Sequence, residues 1–324
     1  MFSNIPTPDS LTGSLIQKPA SGNSLCMEPI VSVVTVCLNP IRDGRKDLFE
    51  KNLDSVQQQR DVAVEHIIVD GASDDGTLDF LRQYKNQSHD IRLLSMPDTG
   101  IYEAMNRGIA LSRGKYVIFL NSDDYYHRAD GLALSVKALE ENNCGYTFAP
   151  ISPVGPHTRH SPHRNPQKRI HKFFVFCTLP HPSMMFRRDT LLEVDGYDQN
   201  YRLAADYDMM LRIIAAGHKV CFVNSNFVTF LASGFSAKNK ELNNKEKVRI
   251  IKNFHKEALG VELSEEESAY IVHKCKYPRK YLQVYVRSQQ LISETFLAIP
   301  QGVFYKISRR FNYVKYYIKS LLSS

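Results

Sequence analysis

Cysteine is scarce and scattered in this 324-residue chain: Cys26, Cys37, Cys144, Cys177, Cys221 and Cys275 include no Cys-x-x-Cys pair. That spacing excludes a zinc ribbon, a dithiol redox motif and a dense disulfide framework, and leaves free thiols as the expected state. Long apolar runs are missing too. No stretch approaches the roughly 18 residues of a membrane-spanning helix, and the N-terminus has no basic region followed by an apolar core, so neither a spanning segment nor a secretory signal is expected and the protein should stay in the cytosol. Acidic residues are outnumbered, 34 against 41 Lys and Arg, for a formal net charge of +7. An excess of that sign points to an anionic partner: nucleic acid, anionic lipid or a phosphorylated small molecule. The cations gather between His157 and Lys172 and near the C-terminus rather than across a nucleic-acid module, so no nucleic-acid partner is expected. His157, His160 and His163 lie among prolines with no Cys or carboxylate nearby, which favours a basic surface loop over a zinc site.

What the chain does have is enough apolar material for a sizeable core, at 43% hydrophobic residues. Residues 1–28 are rich in Ser, Pro, Gly and Thr without an apolar period and are expected to stay disordered or loosely draped. From Pro29 the pattern alternates. Val31 to Cys37 is β-branched and nearly continuous in its apolar character, as a strand covered on both faces should be. A helix is expected from Leu48 to Gln58, a strand over His66 to Val69, a helix from Thr77 to Lys85, a strand over Ile91 to Leu94, a helix from Ile101 to Leu111 and a strand over Tyr116 to Leu120. Such alternation predicts an α/β fold with a mostly parallel sheet flanked by helices.

The strand ending at Leu120 runs directly into Asn121-Ser122-Asp123-Asp124. Carboxylates at the C-terminal tip of a strand in an open α/β sheet lie where such folds bind ligands, and adjacent aspartates suit a hard divalent cation bridged to substrate phosphates. An Asp-Asp pair alone is a weak motif, and an acidic turn with no ligand is the competing reading. The exit of the second strand, Asp70-Gly71-Ala72-Ser73-Asp74-Asp75-Gly76-Thr77, fails as a calcium loop, because the position that requires glycine is Asp75 and the closing glutamate position is Leu81. It has neither a Gly-x-Gly-x-x-Gly run nor a Walker lysine. An aspartate with exposed turn amides can instead hold a nucleoside.

Val31 to Asn39, Asp70 to Thr77, Pro97-Asp98-Thr99-Gly100-Ile101-Tyr102-Glu103-Ala104-Met105-Asn106-Arg107-Gly108 and Leu120 to Asp124, in this order, resemble glycosyltransferase family 2 of the GT-A fold. The resemblance covers about Pro29 to Ser236 and is nearest to bacterial colanic-acid, O-antigen and exopolysaccharide transferases. It implies that Asp70 and Ser73 line the nucleoside pocket and that Asn106, Arg107 and Asp123 contact the donor. Asp123 and Asp124 would form the metal-binding motif, for Mn or Mg. Two departures stand out: Gly71 replaces a second aspartate common in relatives, and Asn121 replaces the aspartate that usually opens the acidic motif. Asp206, in Ala204-Ala205-Asp206-Tyr207-Asp208, matches the acceptor-side motif whose carboxylate is the catalytic base; capping of the following helix is the alternative. His181 is either an acceptor contact or a buried residue at a proline-flanked turn. Ser233 to Ser236 resembles a loop that closes over the diphosphate, or is a plain surface turn.

These implied roles describe an inverting, metal-dependent transfer of sugar from a UDP- or GDP-linked donor to a glycan acceptor, lipid-linked, in bacterial surface-polysaccharide biosynthesis. Rival readings are transfer to a polyprenyl phosphate, a non-catalytic sugar-nucleotide-binding protein and a nucleotidyltransferase. The expected domains are a GT-A unit over 29–237 and a wholly helical region over 238–324. In its tail Phe304, Ile307, Phe311, Val314, Ile318 and Leu321 recur at three- and four-residue spacing between Lys and Arg residues. Such a helix suits an anionic membrane surface, placing the protein peripherally on the inner face of the cell membrane. A helix docked on the catalytic domain or a coiled-coil seam fits the same spacing.

Overall fold

A computed structural model describes residues 3–11, 14–16, 28–87, 91–155, 158, 161–232 and 239–298. Its centre is strand β2 (Val31–Cys37, after β1 at Ser14–Ile16), in which every residue is buried. Helix α1 (Lys46–Gln57) leads to β3 (Val64–Asp70), α2 (Thr77–Gln87) to β4 (Ile91–Ser95), and α3 (Ile101–Leu111) to β5 (Tyr116–Phe119). These four strands are parallel in the order β4-β3-β2-β5, with Val34 in register with both Ile67 and Phe119. The chain therefore moves outward from β2 to β4 and crosses back to place β5 on the other side of β2. That reversal opens a crevice at the C-terminal ends of β2 and β5, the place where open α/β sheets bind ligands.

The crossover helix lies unusually close to the sheet. A Cβ on Gly108 of α3 would overlap Cγ1 of Val34, so only glycine lets the helix backbone rest on β2 at this point. At the opposite ends of the strands the buried carboxylate of Glu65 accepts from Ser32 Oγ at 2.6 Å, from the backbone N–H groups of Arg113 and Gly114, and from Arg113 Nε at 2.9 Å. One charge thus ties β2, β3 and the α3–β5 turn together.

Beyond β5 the sheet becomes mixed. β6 (Tyr125–Tyr126), α4 (Gly131–Asn142), β7 (Tyr146–Phe148), β8 (Ile151–Val154), β9 (Met185–Arg187), α5 (Arg188–Glu193), α6 (Ala205–Ala215), β10 (Val220–Phe222) and β11 (Val228–Leu231) follow in sequence. Antiparallel β9 joins β5 to β7, β10 runs parallel to β7, and β6, β11 and β8 form a small second sheet.

Two expectations about the ends of the chain are corrected. Residues 3–11 and 14–16 lie on the fold: Asp195 accepts hydrogen bonds from Ser3 Oγ at 2.6 Å and Asn4 N at 2.9 Å, and β1 pairs antiparallel with β4. Polar composition hid this because the partners are a distant carboxylate and an open sheet edge. After residue 238 the described chain is not wholly helical. Helices α7 (Lys240–Leu259), α8 (Glu265–Lys274) and α9 (Leu282–Thr295) lead into β12 (Phe296–Leu297), which pairs parallel with β10. Ile250, Phe254, Ile271, Ile292 and Phe296 share one hydrophobic cluster with Phe119, Phe186 and Met210, so the core continues across the boundary expected at 237/238. The capping sequence Ser264–Glu267 forms a reciprocal capping box, as its residues predict. Among the described residues no helix is long and apolar enough to cross a membrane. The amphipathic tail beyond residue 300 lies outside the described residues.

Two buried imidazoles make the fold acid-sensitive. His66 sits inside the sheet against Thr35 Oγ1 at 2.9 Å, and burial lowers its pKa to about 3; His255 is held by Ile251 O and Tyr277 at 2.7 Å, and burial lowers it to about 4. The unfolded chain titrates near 6.5, so between that pH and 4 the unfolded state binds more protons and stability must fall as pH falls. We expect a loss on the order of 3 kcal/mol for each imidazole by pH 4, read from urea unfolding across that window. A flat stability profile from pH 7 to 4.5 would contradict this burial.

Candidate active site

The exits of β2 and β3 are locked to one another before any ligand is considered. Asp70, fully buried at the end of β3, accepts from Ser73 Oγ at 2.5 Å, Ser73 N at 3.0 Å and Ser95 Oγ at 2.7 Å, with the Cys37 thiol at 3.7 Å. Four donors match the lone-pair capacity of a carboxylate. Ser73 Oγ in turn accepts from Asn39 N, Asp74 N donates to Asn39 Oδ1, and Arg42 N donates to Asp75. Asp70 and Ser73 therefore build the double loop at the β2 and β3 exits with polar atoms already engaged. The glycine departure has a structural counterpart: a Cβ on Gly71 would stand 2.7 Å from Asp98 Oδ2, so the carboxylate of Asp98 occupies the space that a residue-71 side chain would enter. Burial raises the pKa of Asp98, and Arg107 pulls it back down.

Asn106 and Arg107, expected beside the donor, use their hydrogen bonds within the chain. Asn106 is buried and pairs with the backbone of Tyr197 in both directions, Nδ2 to Tyr197 O at 2.8 Å and Tyr197 N to Oδ1 at 2.9 Å. Arg107 is buried too, donating to Met96 O, Pro97 O and Glu103. In this structure Asn106 holds the turn at Tyr197, and Arg107 holds the β4–α3 loop. A buried amide or guanidinium is satisfied by the nearest backbone groups, and here those belong to the protein.

The acidic tetrad is suspended from α1. Asn52, fully buried on the apolar face of that helix, donates Nδ2 to the carbonyls of Asn121 and Asp124, both at 2.8 Å, and Tyr126 N donates to Ser55 Oγ at 3.1 Å. The two aspartates meet different environments. Asp124 has no exposure, and its oxygens accept from Leu231 N at 2.9 Å and Asn121 Nδ2 at 3.1 Å. Burial, then the Asp123 charge, push its pKa well up. Asp123 is 14% exposed, and its one ion pair among the described residues is with Arg45 at 3.3 Å. Asn121 Oδ1 is buried and has no hydrogen-bond partner among the described residues.

No three His, Cys, Asp or Glu side chains among the described residues converge to hold a metal by themselves. The residues at the β5 exit nevertheless fit a divalent cation shared with substrate, which needs only one or two protein carboxylates. Asp123 is a hard oxygen donor already facing a cation, and the unpartnered Asn121 oxygen lies two residues away.

Asp206 occupies the first turn of α6, whose N-cap is Ala204. Its Oδ1 accepts from Tyr207 N at 2.8 Å and faces the Tyr102 hydroxyl at 3.4 Å. Burial, then Asp206, push the Tyr102 phenol well up, so it remains a donor. Tyr102 stacks on Tyr197 at 5.3 Å, Tyr197 meets Phe119 edge-on at 5.2 Å, and the Tyr197 hydroxyl pairs with His181 Nε2 at 2.7 Å. His181 stacks on Phe119 at 5.6 Å, and burial lowers its pKa against the pull of Asp206. This aromatic wall connects the last residue of β5 to Asp206, with His181 built into it as a half-buried neutral ring. The head of α6 is fixed from outside: the buried Glu246 carboxylate on α7 accepts from Arg202 N, Leu203 N and Ala204 N at 2.8 to 2.9 Å.

Asn52, Glu246 and Arg45 went unnoticed in the sequence. A signal existed for two of them. Asn52 falls three residues after Phe49, and Glu246 four before Ile250, so each is a polar residue on an apolar helical stripe. The segment Ser233 to Ser236 lies outside the described residues, as do His157 and His160.

Residues 32–194 match the model of glycosyl transferase family 2. A Bacillus subtilis glycosyltransferase named for teichuronic acid biosynthesis, TuaG, is 33% identical over 39% of this chain, a match that spans only 48% of the relative. An uncharacterized glycosyltransferase of Mycobacterium tuberculosis is 31% identical over 57% of this chain and 68% of its own length. A PGL/p-HBAD biosynthesis glycosyltransferase of Mycobacterium bovis is 28% identical, over 55% and 65%. In fold, the chain resembles Staphylococcus aureus TarS 1–349 in complex with UDP-GlcNAc, with a TM-score of 0.55 at 15% identity covering 84% of this chain and 82% of that one. It likewise resembles the mannosyltransferase PcManGT of Pyrobaculum calidifontis in complex with GDP-Man and Mn2+, at 0.52 and 18% identity over 83% and 74%. With the family motifs in order on a mostly parallel, helix-flanked GT-A sheet, the chain belongs to glycosyl transferase family 2.

Proposed function

We propose that this chain is an inverting glycosyltransferase that takes a sugar from a nucleotide-linked donor, UDP or GDP, and transfers it to a glycan acceptor, lipid-linked, in bacterial surface-polysaccharide assembly. The observation that carries the reading is the aromatic wall Phe119–His181–Tyr197–Tyr102, which joins the acidic strand exit to Asp206. A leaving-group site and a base are thereby connected through one rigid core. The neighbours' complexes with UDP-GlcNAc and GDP-Man support a sugar-nucleotide partner, and the relatives named for teichuronic acid and PGL/p-HBAD biosynthesis support a surface glycan.

Asp123, with Asn121 beside it, would hold a Mn or Mg ion, which when bound stabilises the charge on the departing diphosphate as a Lewis acid. Asp206 accepts the acceptor hydroxyl's proton as attack proceeds, and the Tyr102 hydroxyl keeps its carboxylate oriented. Attack from the side opposite the diphosphate inverts the anomeric carbon. Glu246 and Asn106 position Asp206 and Tyr197.

The two aspartates of the tetrad should separate on mutation. Asp123→Asn removes the outer carboxylate of the pair and is expected to weaken manganese-dependent UDP binding about tenfold or more with the fold intact. Asp124→Asn keeps an oxygen for Leu231 N and leaves the Asp123 carboxylate in place, so the fold should hold and manganese affinity should change less. Titration calorimetry with thermal melts reads both, and equal loss in the two variants would make Asp124 a direct ligand.

For Asp206, replacement by Asn retains shape but not basicity. Turnover is expected to drop by about 10²-fold or more with donor affinity unchanged. Normal turnover in Asp206→Asn would remove it as the base.

Membrane attachment is assigned to the basic amphipathic segment after Gly302, whose cations should contribute roughly 1 kcal/mol each near an anionic surface. The chain truncated before Gly302 should no longer float with phosphatidylglycerol liposomes. Undiminished flotation would place the contact elsewhere.

A further inference from the structure

Arg45 has no part in the reading above, yet it is the cation that sits on Asp123. Its guanidinium bridges two carboxylates, Nη2 to Asp43 at 2.6 Å and Nη1 to Asp123 at 3.3 Å. The backbone at this position is held firmly. Arg45 N donates to Pro40 O at 2.8 Å, and its carbonyl accepts from Phe49 N at 2.9 Å as the first turn of α1 begins. The loop that carries it is joined to the β3 exit through Asn39 and Arg42. Only the side chain is therefore available to move. It is 30% exposed, between an Asp43 that is half exposed and an Asp123 that is largely enclosed.

A divalent cation and a guanidinium repel one another, so the same carboxylate oxygen cannot serve both closely. If a metal ion takes Asp123, the guanidinium must turn away, and a diphosphate arriving with that metal presents oxygens that its planar fork of five donors suits. We propose that Arg45 exchanges partners on donor binding: it neutralises Asp123 in the ligand-free protein and moves onto the diphosphate when a divalent cation takes Asp123. This rests on the reading of Asp123 as a metal ligand and adds a diphosphate contact and a competition to it. Arg45 thereby disfavours metal binding in the absence of donor and makes metal and donor bind together.

The two halves of the exchange move affinities in opposite directions. In Arg45→Gln, manganese alone should bind the full chain about three- to tenfold more tightly, since its competitor is gone, while UDP or GDP at saturating manganese should bind about tenfold more weakly. Arg45→Lys should lie between the variant and wild type on both measures. Calorimetric titrations with MnCl2, then with UDP and with GDP, give these values, and thermal melts confirm that each variant is folded. If wild type binds manganese but Arg45→Gln alters neither affinity, the metal reading stands and the exchange is wrong. Weaker manganese binding in Arg45→Gln would also overturn it, because Arg45 would then be supporting the site rather than competing for it. If wild type shows no manganese binding and no manganese dependence toward UDP or GDP, the metal reading itself fails and this proposal with it.

Discussion

Three peptide N–H groups at the head of α6 converge on one buried carboxylate, and the placement of Asp206 depends on that convergence. Glu246 reaches from α7 to Arg202, Leu203 and Ala204 and takes over the role an N-cap side chain would play, for Ala204 has no side-chain oxygen to offer. Leaving a buried donor unmet costs about 1–3 kcal/mol, and here several donors share one acceptor. Because Glu246 belongs to a helix that follows the family-matched residues, the C-terminal helices are a condition for the geometry of the site. The shared hydrophobic cluster gives the same result from packing: Ile250 and Phe254 on α7 lie in one core with Met209 and Met210 on α6.

The acidic turn is supported by the same principle from the other side of the sheet. Asn52 is buried and polar, and it is accommodated because its amide satisfies two carbonyls that the turn after β5 would otherwise leave exposed to the apolar interior. With the backbone of 121–124 fixed, the two neighbouring carboxylates face different surroundings. Asp124 turns inward to the β11 backbone, and Asp123 remains within reach of solvent and of Arg45. Adjacent identical residues thus acquire unlike chemistry through burial, which in this case raises the proton affinity of the inner carboxyl.

Polar side chains of the family motifs fall into two groups in this chain. Asp70, Ser73, Asn106 and Arg107 are engaged by internal partners and hold the loops in place. Asn121 Oδ1 has no partner among the described residues, Asp123 has one ion pair among them, and Asp206 faces the Tyr102 hydroxyl at 3.4 Å. The first group holds the loops that border the crevice; on the function proposed above, the second group would then need no reorganisation at the moment of reaction, the condition under which electrostatic stabilisation is most effective.

Periodicity and local hydrogen bonding determined much of this architecture in advance. Helix α3 spans the residues its apolar spacing marks, β2 is buried on both faces as its unbroken β-branched run requires, and the Ser264–Glu267 box caps α8, because each depends on neighbours only a few residues away. The ordered motifs likewise made the GT-A fold and the position of the acidic turn legible. Tertiary structure alone decided which polar groups remain available, since an Asn or Arg is the same residue whether it meets a ligand or the backbone of Tyr197 or Met96. It also decided that a polar N-terminal segment would dock on Asp195, that Phe296 and Leu297 would extend the sheet beside β10, and that Glu246 would serve a helix about forty residues earlier. Each of these is a contact between groups far apart in sequence, and a one-dimensional pattern carries no information about such distances.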